Sequence, residues 1–94
     1  MKNYVIYYHE QAQKDLLDLT AYIALDDKDT AINFRTEIEN VISTLSTFPN
    51  IGKEVSTKEC RRIIKKPYII YYEVNELTQE IAILYILHGA RVSK

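Results

Sequence analysis

The last twelve residues, ILYILHGARVSK, carry the groups best suited to chemistry. An apolar run from Ile81 to Leu87 ends in His88, Gly89, Ala90 and Arg91. An imidazole titrates near neutral pH, and a guanidinium offers a planar fork of donors to a phosphate or carboxylate. Two readings of the pair follow. In one, His88 is a general acid or base and Arg91 a phosphate contact. In the other, His88 hydrogen-bonds the chain end and Arg91 pairs with a carboxylate, so both serve the scaffold. The second is the simpler, because proton transfer would need a partner acid and Glu73, across the pleat from Tyr72, has nothing to bring it to His88.

A second group of charges lies in CRRIIKK. Residues 1–59 hold six Lys/Arg against ten Asp/Glu, and residues 60–94 hold six against three, so a net charge of −1 conceals an acidic front and a basic final third. Arg61, Arg62, Lys65 and Lys66 therefore suit an acidic partner or a phosphate backbone. Taken singly, each also reads as the solvated end of an amphipathic strand. Tyr4, Tyr8, Tyr68 and Tyr72 fall at alternate strand positions and line one face. They could stack bases, but Ile6, Ile70 and Val74 share their parity, which favours a face covered by helices. His9 stands where a first helix would be capped, and Cys60 lacks a neighbouring His and acid and reads as a small packed residue.

The elements that must position these groups follow from periodicity. Asn3–Tyr8 alternates and is rich in β-formers, which predicts a first strand. Ala12, Leu16, Leu19 and Ile23 then fall at helical spacing, as do Ala31, Phe34, Ile38, Val41, Leu45 and Phe48 after a polar break. The break LDDKD offers Asp27 or Asp29 as N-cap, and so short a connection predicts an antiparallel helical hairpin. Pro49 and Gly52 are expected to stop the second helix. CRRIIKK and PYIIYYEV then form a hairpin with Pro67 opening the second strand. IAILYILH, apolar on both alternating faces, is expected as the middle strand, covered on both sides. The expected fold is α+β, in the order β-α-α-β-β-β, with a helical hairpin on a small, mainly antiparallel sheet.

Composition sets the outer limits. A chain of 94 residues, 47% apolar and 27% charged, is expected to be one domain over residues 1–94. Its apolar runs fall far short of the roughly 20 residues that cross a bilayer, and no signal segment opens it, so a cytoplasmic location is expected. A lone cysteine excludes an internal disulfide, and with two distant histidines no structural zinc set is expected; no cofactor is implied.

The ordered series Ala12, Asp15-Leu16, Tyr22-Ile23-Ala24, Phe48-Pro49, Gly52, Arg61-Arg62, the alternating Tyr68–Val74 strand and closing HGAR resembles the RelE/ParE superfamily of type II toxins, and within it the ParE branch. The resemblance implies a toxin made with a labile antitoxin whose C-terminal segment wraps it and whose N-terminal domain binds DNA. ParE-like toxins poison DNA gyrase by protein–protein contact. RelE-like toxins cut messenger RNA on the ribosome, using arginines and lysines, one of them early in the strand here written PYIIYYEV, and a tyrosine in the tail. Here Ile69 stands at that strand position, and no tyrosine follows Arg91. The resemblance therefore implies gyrase inhibition with no catalytic residue, and Arg61, Arg62, Lys65, Lys66 and Arg91 as partner-binding cations. The alternative is a metal-free endoribonuclease acting on ribosome-bound messenger RNA, with His88, Arg91 and Arg62 as its site. A third reading is a decayed toxin that only binds its antitoxin.

Overall fold

The computed structural model describes residues 3–56 and 60–89. Their order is β1 (Val5–Tyr8), α1 (Glu10–Ala24), α2 (Lys28–Thr44), β2 (Lys53–Glu54), β3 (Cys60–Lys65), β4 (Tyr68–Asn75) and β5 (Glu80–His88). The five strands form one sheet in the order β1-β5-β4-β3-β2. β1 runs parallel to β5, with Val5 opposite Glu80 and Tyr8 opposite Ile83, and every other pairing is antiparallel. This is the α+β arrangement expected, with one short edge strand, β2, added.

The two helices form because their apolar residues recur every three or four positions, and they bury that stripe against one face of the sheet. Ala12 and Leu16 of α1, and Ala31, Phe34, Ile38 and Ile42 of α2, are buried. All of these but Ala31 join one core cluster with Ile70, Tyr72, Ile81, Ile83 and Ile86 from β4 and β5. Asp27 caps α2, its carboxylate accepting from the Asp29 amide at 2.9 Å and from the Thr30 hydroxyl at 3.0 Å. Those bonds hold its pKa below the ordinary aspartate value, the Thr30 hydroxyl contributing most. His9 does occupy the N-cap position of α1, but its side chain makes no capping bond.

Several expectations are corrected. α2 ends at Thr44 with Leu45 as C-cap, before Pro49 and Gly52, and Phe48 falls outside the helix and is 59% exposed. The chain leaves the helix through tight turns, with the amides of Ser46, Thr47 and Phe48 donating to the carbonyls of Ser43 and Thr44, so the apolar period continues past the helix that produced it. Pro67 sits in the β3–β4 turn and Tyr68 opens β4. β4, not β5, is the middle strand. Both helices lie on the same side, so β5 is covered on one face only, and its second apolar row, Ala82, Tyr85 and Leu87, belongs to the face turned away from them.

The tyrosines at alternate positions divide as expected. Tyr72 is fully buried, and Tyr4, Tyr8 and Tyr68 pack around the core on the helix side. Phe34 of α2 meets Tyr68 with ring centroids 4.6 Å apart. Tyr71 and Tyr85 stack at 4.7 Å on the opposite face.

Candidate functional site

His88 ends β5 directly opposite Tyr68, and their rings meet edge to face at 5.3 Å. Residues paired across an antiparallel ladder share a face, so His88 lies on the helix side with Tyr68. Gly89 follows, and its amide donates to the Pro67 carbonyl at 2.6 Å, tying the end of β5 to the β3–β4 turn. A β-carbon on Gly89 would stand 2.9 Å from that oxygen, which is why the residue after the histidine has none. Arg91 lies outside the described residues.

Arg62 pairs with Tyr71, and Tyr71 stacks on Tyr85, so Arg62 lies on the face away from the helices. The two described residues of the alternative catalytic set are therefore on opposite faces of one sheet. Glu73 shares the outer face with Arg62, opposite Cys60 and Ala82, and does not approach His88. Ile69, at the strand position discussed above, sits on that outer face between Ile64 and Leu87. Burial raises the pKa of the Cys60 thiol, and the Glu73 carboxylate adds to the effect, both disfavouring the thiolate.

The four cations of β3 and its turn have unlike roles. Arg61 reaches back over the loop after α2. Its guanidinium donates to the Gly52 carbonyl at 2.6 Å and the Asn50 carbonyl at 3.3 Å, with the Glu54 carboxylate 3.5 Å away. The same loop is held from below by Tyr72, whose buried hydroxyl donates to the Pro49 carbonyl at 2.9 Å and accepts from the Gly52 amide at 2.8 Å. Gly52 is required there because a β-carbon would lie 2.5 Å from the Tyr72 hydroxyl and 2.7 Å from the Arg62 carbonyl. Arg61 is thus a structural cation, while Lys65 and Lys66 stand exposed at the turn.

Asp15, named from the sequence only as part of the family resemblance, has a structural role that was not assigned to it there. Asp15, half-buried on α1, accepts the Ile86 amide at 3.0 Å. The ladder between β4 and β5 changes register there, Tyr71 opposing Tyr85 but Tyr72 opposing Ile83, so Leu84 is an extra residue on β5. The bulge turns a strand amide toward the helix, and a carboxylate meets it. The available signal was an acid three residues after Ala12, on the apolar stripe.

Beside β1 the structure leaves an open groove of about 510 Å³, walled by Tyr7, Tyr8, Leu16 and Leu17 and rimmed by Arg35 and Glu39. Leu17 is 63% exposed there. The backbone at both ends of β1 is already engaged: Tyr4 exchanges bonds with Ser46, and the Tyr8 carbonyl accepts from Gln13. Among the described residues no group of three or more His, Cys, Asp or Glu is placed to hold a metal ion, and no helix is long and apolar enough to cross a membrane.

The sequence pattern of the family described as the ParE toxin of the type II toxin-antitoxin system parDE matches residues 3–93. The chain belongs to the ParE toxin family. Its fold is shared with the chromosomal ParDE system from P. aeruginosa, at TM-score 0.76 and 19% identity over 90% of this chain and 95% of that one. The isolated E. coli RelE toxin superposes at TM-score 0.72, with 16% identity over 96% and 88% of the two chains. The Mycobacterium tuberculosis RelBE2 toxin–antitoxin complex follows at 0.63, with 19% identity over 92% and 98%. No curated protein matches by sequence. The chain is thus a type II toxin of the ParE/RelE family, and these folds are common to both branches.

Proposed function

We propose that this ParE-family chain acts by binding, as an inhibitor of DNA gyrase neutralised by a cognate antitoxin. The observation that carries this reading is the separation of His88 and Arg62 onto opposite faces of the sheet. Metal-free RNA cleavage needs an acid, a base and phosphate-stabilising cations around one scissile bond. With an isoleucine at the strand position where RelE-like enzymes carry an arginine, the described outer face holds Arg62 and Glu73 but is separated by the sheet from His88. An inhibitor needs only contact area and a few anchors, and we assign that role to Arg62, Lys65 and Lys66, with Arg91, outside the described residues, as a further candidate. Arg61, spent on the loop carbonyls, is withdrawn from the set.

The groove beside β1 suits the apolar face of an antitoxin helix, since Leu16, Leu17 and Tyr8 supply apolar surface and Arg35 and Glu39 a polar rim. A purified chain should inhibit supercoiling by gyrase and leave ribosome-bound messenger RNA intact, and the cell should show DNA damage before translation falls. Codon-specific cleavage on ribosomes, without effect on gyrase, would replace this reading with the nuclease one.

A further inference from the structure

The turn that follows α2 is held more firmly than its own packing requires. Phe48 and Ile51 stand at its two ends, the Ile51 amide donating to the Phe48 carbonyl at 3.2 Å. The next carbonyls accept from side chains brought in from the sheet: Pro49 from the Tyr72 hydroxyl, and Asn50 and Gly52 from the Arg61 guanidinium. The Gly52 amide donates to the same tyrosine oxygen. Pro49 adds a fixed backbone angle. A fully buried tyrosine and a half-buried arginine thus fix a segment whose large apolar side chains lie outside, Phe48 being 59% exposed and Ile51 58%. Neither belongs to the core or to the apolar residues packed against it.

Positive charge adjoins this turn. Lys53 opens β2 two residues after Ile51 and lies directly opposite Arg62 of β3. Like charges facing each other across a ladder repel, and no ion pair among the described residues uses either one. Glu54, the other residue of β2, is directed to Arg61 instead. An anion brought from outside would relieve the repulsion between Lys53 and Arg62. Shape then selects the class of partner. A fixed turn that carries two side chains outward is convex and seats in a hollow. An antitoxin helix is itself convex and suits the groove beside β1, at the opposite edge of the sheet from β2. The hollow therefore belongs to a folded protein.

We propose that Phe48 and Ile51 are the apolar anchor with which this toxin grips its target, seated in an apolar hollow whose rim offers carboxylates to Lys53 and Arg62. The inference rests on the reading of the chain as a gyrase inhibitor and names the part of the chain that makes the contact. A few apolar and aromatic anchors carry most of the free energy of such interfaces, and a turn already fixed before docking loses little freedom on binding. The bonds from Tyr72 and Arg61 supply that rigidity.

The test compares the full chain with its variants in gyrase supercoiling, in antitoxin binding and in thermal melting. Phe48→Ala combined with Ile51→Ala should raise the concentration needed for half inhibition by about tenfold or more, with antitoxin affinity and melting temperature unchanged. Phe48→Leu, which keeps an apolar side chain, should retain most of the inhibition. Lys53→Glu should also weaken inhibition yet melt no lower than the wild type, because it sets an opposite charge across from Arg62. If the wild type inhibits gyrase and the double variant inhibits it equally well, the anchor is overturned and the gyrase reading stands. A wild type without effect on gyrase overturns both. A loss of antitoxin affinity as large as the loss of inhibition assigns the turn to the antitoxin and overturns the proposal as well.

Discussion

Asp15 and Ile86 lie 71 residues apart in sequence and are joined by one hydrogen bond of 3.0 Å, helix carboxylate to strand amide. The bond secures β5 at its bulge, two residues before His88. Asp15→Ala should strand that half-buried amide and cost about 1–3 kcal/mol, whereas Asp15→Asn, which keeps an acceptor, should cost less. Urea denaturation measures the difference. Amide exchange should accelerate at Ile86 more than at Ile70 if the loss is local.

Tyr72 should be the most sensitive hydroxyl in the chain. Tyr72→Phe removes both the bond to Pro49 and the acceptor for the buried Gly52 amide, an expected loss of about 1–3 kcal/mol with little change in volume. Burial raises the pKa of this hydroxyl, outweighing the opposing effect of the Gly52 amide. As pH rises the unfolded chain therefore loses this proton first. The hydroxyl's contribution is whole below about pH 10 and falls as pH climbs through the folded-state pKa, so wild type and Tyr72→Phe should converge in strong alkali.

The cations should separate into two classes. Reversing Arg62, Lys65 and Lys66 to glutamate should slow association with an acidic antitoxin segment and flatten its salt dependence, with a smaller effect on dissociation. Melting should change little. Arg61→Glu should instead lower the melting temperature, because it sets a carboxylate against the carbonyls of Asn50 and Gly52. Stopped-flow binding and thermal melts distinguish the classes. An unchanged association rate for the triple variant at low salt would remove β3 and its turn from the docking surface.

His88→Gln keeps a hydrogen-bonding group of similar size and should leave gyrase inhibition nearly unchanged, while Arg91→Ala should weaken it. An acid–base role for His88 would instead lower activity by about 100- to 10,000-fold. Supercoiling assays on the two variants, each checked for folding, decide between these outcomes.

Those predictions depend on features that were unequally legible in the sequence. Both helices could be read because their buried residues recur at fixed helical spacing, and the Asp27 cap because an acid preceded a second apolar period. The β3–β4 hairpin was visible in alternating residues around Pro67. β2 was not, since a two-residue strand has no period, and Phe48 continued the period of a helix that had already ended. The reading of β5 as covered on both faces took its apolar outer row as evidence of a second layer that the described residues do not contain. The roles of Arg61 and Asp15 depended on partners 7 to 71 residues away, set by register and by a bulge. The opposition of His88 and Arg62 likewise required counting parity across three strands.

The parallel pairing of β1 with β5 has a bearing on how this toxin is made. Val5 has no strand beside it until residues around Glu80 have been synthesised, so the first strand to leave the ribosome waits for the last. A long-range closure of this kind is slow relative to the local folding of the α1–α2 hairpin. During synthesis the groove beside β1 has only its helical wall, and the surface an antitoxin would clasp is completed late. An antitoxin that recognises the helical wall first could meet the toxin before its sheet has closed, with capture and folding then proceeding together.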